Sequence, residues 1–234
     1  MCVMTRAQRV LSVGLMALLA GTVLSVAVPG IALADKPPQE WDGLQRQKSK
    51  KNDNLYIRPN VQFKAYKSVR LDPVEVQMDK DWDPNRYSSG THRMSSEDIL
   101  KLRSDLSKLF HEVFVEKLGK GGYPVVEKDG DDVLRVQAAM INVYVNAPDM
   151  SMETAGRSRT YTTDAGRMTL VLQVLDSVTG QVLGRVVDTR QGTDMGRLTW
   201  SNSVTNKAEA QRIIGVWADG LVKGLDRVNG RTSD

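Results

Sequence analysis

The chain has 234 residues, 32 of them Lys or Arg and 28 Asp or Glu, for a net charge of +4, and a single cysteine. That balance gives no electrostatic case for nucleic acid, and one thiol excludes an intrachain disulfide or a cysteine-built metal site. The length fits one domain, or one domain with a tail.

Arg6 and Arg9 precede an apolar run over residues 10–28, which Pro29 and Gly30 end and Ala32-Leu33-Ala34 follows. A positive start, an apolar core and a small-x-small site make residues 1–34 a secretory signal peptide, with cleavage expected after Ala34. A retained anchor is the alternative, because the run approaches the roughly 20 residues that a membrane span needs. Cys2 lies before the apolar core, whereas a lipoprotein cysteine stands at its end, where this chain has Ala34-Asp35. No lipid anchor is therefore expected. Loss of Arg6 and Arg9 leaves 30 basic against 28 acidic residues and no thiol, so the exported chain is nearly neutral and relies on an ordinary hydrophobic core.

Residues 35–54 read as a polar lead-in. It holds the apolar island Trp41-Asp42-Gly43-Leu44 and a basic run from Arg46 to Lys51. A single domain is expected over 55–228, with a frayed tail at 229–234. Leu55-Tyr56-Ile57-Arg58-Pro59 ends extended at its proline. Ser68-Val69-Arg70-Leu71 starts a strand that Pro73 confines to an edge or a bend. Val74 and Val76 alternate with polar neighbours, and 79–90 is a loop.

The clearest element is a first helix. Ser95 or Ser96 caps it, Glu97 and Asp98 suit its positive end, and Ile99, Leu102, Leu106, Leu109, Phe110, Val113 and Phe114 recur at helical spacing. Gly119, Gly121 and Gly122 stop it. Residues 133–145 read as a strand whose apolar face changes sides, which requires a bulge near 139–141 or burial on both faces. Residues 147–166 read as a long polar loop. Residues 168–175 and 181–188 alternate around the turn Asp176-Ser177-Val178-Thr179-Gly180, the strongest hairpin signal in the chain. A Gly- and Ser-rich loop at 191–204 precedes a second helix over 206–228, with Ala210, Ile213, Ile214, Trp217, Leu221 and Leu225 on its inner stripe. The expected class is α+β: a mainly antiparallel sheet of four or five strands, with two long helices packed on one face.

No catalytic constellation emerges. His92 and His111 lack metal-ligand spacing, G-x-S-x-G is absent, and Gly119-Lys120-Gly121-Gly122 follows a helix rather than opening one. Asp129-Gly130-Asp131-Asp132 lacks the frame of a calcium loop. No metal or cofactor is expected.

Several segments resemble the domain-of-unknown-function 3313 family of exported envelope proteins. They are Trp41-Asp42-Gly43-Leu44, Tyr56-Ile57-Arg58-Pro59, Phe63-Lys64-Ala65-Tyr66, the stretch Val69-Arg70-Leu71-Asp72-Pro73-Val74-Glu75-Val76 and Asp79-Lys80-Asp81-Trp82. The resemblance implies an exported protein, often a lipoprotein, and supplies no catalytic residues. This chain departs from the lipoprotein pattern at Ala34-Asp35.

The expected role is a non-enzymatic binding or assembly component, periplasmic or envelope-associated. Its partner is an envelope protein or polymer; peripheral membrane contact and oligomeric state stay open. The candidate interaction residues are Trp41, Leu44, Tyr56, Arg58, Tyr66 and Trp82, which sit in the resembling segments and include types enriched at interface hot spots. The alternatives are a hydrolase using Asp79, Asp81 or Asp83 as paired acid and base, and a carrier of small ligands between sheet and helices.

Overall fold

A computed structural model describes residues 36–49, 51–86, 93–145, 160–162, 166–192, 199–201 and 203–231. The signal segment, His92 and most of the stretches expected as loops at 147–166 and 191–204 lie outside the described residues. The strands are β1 (Glu40–Trp41), β2 (Leu44–Gln47), β3 (Asn54–Ile57), β4 (Ser68–Leu71), β5 (Glu75–Met78), β6 (Val133–Tyr144), β7 (Thr160–Thr162), β8 (Arg167–Asp176), β9 (Val182–Gln191) and β10 (Thr199–Ser201). The helices are α1 (Ser96–Lys120) and α2 (Ser203–Val228).

The class is α+β, but the sheet is larger than expected and mixed. Eight strands run in the order β1-β2-β3-β9-β8-β6-β4, with β5 also paired to β6. β4 and β5 lie parallel to β6, and the remaining pairs are antiparallel. The parallel pairs have a simple cause. A strand that reaches its neighbour through a 25-residue helix returns in the same direction, so β5–α1–β6 is a crossover unit. Two of the extra strands, β1 and β2, come from within the stretch read as a polar lead-in. β7 and β10, inside stretches expected as loops, pair with each other as a separate ribbon.

α1 starts where its cap demands. The Ser95 hydroxyl accepts the Asp98 N–H, and the Asp98 carboxylate accepts the Ser95 N–H. Leu106, Leu109, Phe110, Val113, Phe114 and Leu118 then bury one stripe. They share a core with Ala210, Ile213, Ile214, Trp217, Ala218 and Leu225 of α2. The sheet contributes alternate residues to that core: Val136, Ala138 and Met140 of β6, and Met168, Leu170, Leu172 and Val174 of β8. Both helices therefore meet one face of the sheet. Each Val, Leu, Ile, Phe or Met among them contributes roughly 1.5–3 kcal/mol by leaving water.

The change of face in β6 occurs just beyond the expected place. Pairing with β8 shifts between Ile141 and Tyr144, where Asn142 takes a φ of 50°. One inserted residue brings Val143 into the core after Met140.

Both margins of the sheet are protected. β1 has two residues. At the other margin α1 covers β5: Arg103 Nε donates to the Val76 carbonyl at 2.7 Å, and the Ser107 hydroxyl to that of Val74 at 3.1 Å.

Candidate functional site: the N-terminal hairpin edge

The site begins with a turn. Trp41 pairs with Leu44, so Asp42 and Gly43 form a two-residue hairpin loop. Their φ values of 55° and 74° are both positive, as a type I′ turn requires. Asp-Gly is a standard signal for that turn, and its glycine accepts the geometry without strain.

Four of the six candidate residues converge on this turn. The Trp41 ring meets Tyr56 edge-on, with centroids 5.7 Å apart and planes at 88°. On its face lies the Arg185 guanidinium, 3.8 Å from the ring centroid. Arg185 Nη2 reaches Asp42 Oδ2 at 3.0 Å. The Tyr56 hydroxyl donates to the Pro38 carbonyl at 3.1 Å and ties the incoming chain to β3. Arg58 clamps the turn to the start of β9: Nε donates to the Val182 carbonyl at 2.6 Å and Nη2 to the Asp42 carbonyl at 3.1 Å. Leu44 and Tyr56 are buried and serve as packing; Trp41 and Arg58 stay partly exposed.

The cluster sits on the face away from the helices. Tyr56 pairs with Arg185 and Arg46 with Tyr56 across neighbouring strands. On β9, Val186 and Asp188 alternate with Arg185 and face the helix layer, where Trp217 bonds Asp188. Arg185 is 6% exposed, and its Nε and Nη1 find no acceptor among the described residues. Stacking a desolvated guanidinium on an indole contributes about 2 kcal/mol, which offsets part of the cost of those donors.

The other two candidates lie elsewhere. The Tyr66 hydroxyl donates to Asp176 Oδ2 at 2.7 Å, in the β8–β9 turn, and Tyr66 packs against the main core. Trp82 Nε1 donates to the Val145 carbonyl at 2.9 Å and fastens the 79–86 loop to the end of β6. Two of the three carboxylates considered for hydrolysis are committed to that loop. Asp79 accepts the Asp81 N–H and pairs with Arg167, and Asp83 accepts the Asn85 N–H. Among the described residues no group of acids, histidines or cysteines is arranged to hold a metal ion. Among them, too, no helix is long and apolar enough to cross a membrane.

Sequence reasoning missed Arg185, which joins Asp42 from 143 positions away. No local pattern marks such a pair. The Asp-Gly turn between Trp41 and Leu44 was the one available signal.

Ionisation outside the hairpin sets the pH range of the fold. Burial alone would raise the Asp72 carboxyl, but hydrogen bonds from Arg135 and Gln137 and the charges of Arg135 and Arg70 hold it below its ordinary value. The Thr179 N–H, then the Tyr66 hydroxyl, do the same for Asp176. Burial, then Asp176, pushes Tyr66 up to about 12. The carboxylate contributions are present above their unfolded value near 4 and lost as pH falls through the depressed ones. The Tyr66 contribution is present below about 10 and lost as pH rises towards 12. Thermal melts across pH should therefore show a plateau with losses at both ends. Tyr66→Phe should weaken the alkaline loss; burial also raises Tyr123, so part of that loss remains. An alkaline limb unchanged by Tyr66→Phe would contradict this assignment.

The family model described as "Protein of unknown function (DUF3313)" matches residues 34–221. The chain belongs to the DUF3313 family. The match takes in the whole hairpin edge and every candidate residue. No curated protein matches this DUF3313 chain in sequence. Among solved structures, the PelC dodecamer from Paraburkholderia phytofirmans is similar at 10% identity, covering 66% of this chain and 88% of that one, with a TM-score of 0.35. A minor lipoprotein from Acinetobacter baumannii is similar at 9% identity, covering 71% and 95%, with a TM-score of 0.34. A putative lipoprotein from Caulobacter crescentus CB15 is similar at 12% identity, covering 74% and 96%, with a TM-score of 0.30.

Proposed function

We propose that this DUF3313 protein is an exported, non-enzymatic binding or assembly component of the bacterial envelope, periplasmic or envelope-associated once residues 1–34 are removed. It docks an envelope partner through the β1–β3 edge. The observation that carries this reading is the convergence of Trp41, Arg58, Tyr56 and Arg185 on one Asp-Gly turn. A rigid aromatic and a held guanidinium at a partly exposed margin are the components of an interface hot spot. The signal-like leader supports export.

The test is in-cell photocrosslinking from a probe at exposed Gln45, with a control probe at exposed Glu112 on α1. Adducts at Gln45 and none at Glu112, in an envelope fraction whose mature chain begins at Asp35, are the expected result. A chain that diffuses freely and gives no adduct at Gln45 would refute the docking role.

One feature favours a second reading, a carrier of small ligands. An open groove of about 800 Å³ runs between the start of α1 and the β5 margin, with Val76, Met78, Ile99, Leu100, Arg103 and Ile141 among its walls. Leu100, at 61% exposure, stands at this groove.

A further inference from the structure

We infer that the partner of the β1–β3 edge is the surface of an anionic phospholipid bilayer; this rests on that edge being the docking site. Four cations lie along it: Arg46, Lys48, Lys51 and Arg58. Among the described residues none of the four forms an ion pair, whereas cations elsewhere do, as Lys117 with Asp219 at 3.0 Å. The two arginines are held by neutral acceptors, so their charge is not cancelled. Arg46 donates to Asn54 Oδ1 at 3.1 Å and Arg58 to two main-chain carbonyls.

Asp42 on the same edge is paired with Arg185, which leaves the carboxylates of exposed Glu40 and of Asp53, the latter accepting the Thr189 N–H at 2.9 Å, against these four cations, so the edge keeps a net positive charge. Lys48 and Lys51 are exposed. Trp41, partly exposed at the centre of the edge, is the side chain that settles at the level of lipid headgroups.

Connectivity points the same way. The apolar run at residues 10–28 ends twelve residues before β1, the first strand among the described residues. Whether the leader is retained or passes through during export, the basic margin is the part of the sheet closest in sequence to the bilayer. Each cation brought to an anionic surface strengthens binding about fivefold, and salt screens the effect.

The exported form should cosediment with phosphatidylcholine vesicles that contain phosphatidylglycerol, and far less with phosphatidylcholine alone. The pair Lys48→Glu and Lys51→Glu should lower that binding by about tenfold or more, as should high salt. Both side chains are exposed and make no bonds of their own among the described residues, so the variant should keep its melting curve. Lys128→Glu, on an exposed turn outside this edge, should leave binding unchanged. Equal binding to neutral vesicles, or no effect of the double reversal, overturns the inference. If vesicles fail while Gln45 still crosslinks to a protein or polymer, the docking edge stands and the lipid surface is not its partner.

Discussion

Asp188→Ala is expected to lower folding stability by about 3–5 kcal/mol, read by chemical denaturation. Asp188 sits on β9, facing the helix layer, at 2% exposure. Its Oδ2 accepts Trp217 Nε1 at 2.8 Å and Arg190 Nε at 2.7 Å, and its Oδ1 accepts the Asp53 N–H at 3.1 Å. One carboxylate thus joins α2, β9 and the segment leading into β3. Truncation strands a buried indole N–H and leaves Arg190 without its ion pair. Trp217→Phe keeps most of the packing and removes only the donor, so it should cost less than Asp188→Ala. An Asp188→Ala protein as stable as its parent would show that these donors find other acceptors.

Gly166→Ala should cost about 3–5 kcal/mol, from backbone strain and from a clash that neighbouring atoms cannot relieve cheaply. Gly166 has a φ of +111°, and a β-carbon there would lie 1.9 Å from the Tyr144 carbonyl oxygen. The obstacle is main chain at the end of β6. Gly166 also accepts the Gly192 N–H at 2.7 Å, closing the far end of the β8–β9 pair. Gly180→Ala is the internal control. Its φ is +70°, nothing stands within 4 Å of the added carbon, and the expected cost is about 1 kcal/mol. Equal losses at the two positions would mean that φ alone, and not the approach of Tyr144, sets the penalty at Gly166.

What could be read from the sequence was local. Ser95 announced α1 because capping is settled within four residues, and the Asp176 turn announced β8 and β9 because a hairpin brackets its own loop. The face change in β6 was visible as a break in alternation, displaced by about two residues from its place at Asn142. The order strand–helix–strand around α1 contained the parallel pairing of β5 with β6, but the expected antiparallel sheet ignored that a long crossover reverses the chain twice. Trp41-Asp42-Gly43-Leu44 stood out as apolar, while its turn chemistry went unread. Arg185 and Asp188 were out of reach of any window. Their partners, Asp42 and Trp217, are set by the register of β9 against β3 and by the seat of α2.

The covering of β5 by α1 has a consequence for how copies of the chain behave at high concentration. A bare parallel margin would offer Val74 and Val76 carbonyls as a template for the strand of another molecule, the first step of fibril growth. Arg103 and Ser107 already fill those acceptors. A chain with a single cysteine, and so without an intrachain disulfide to hold it, is thereby shielded along that margin.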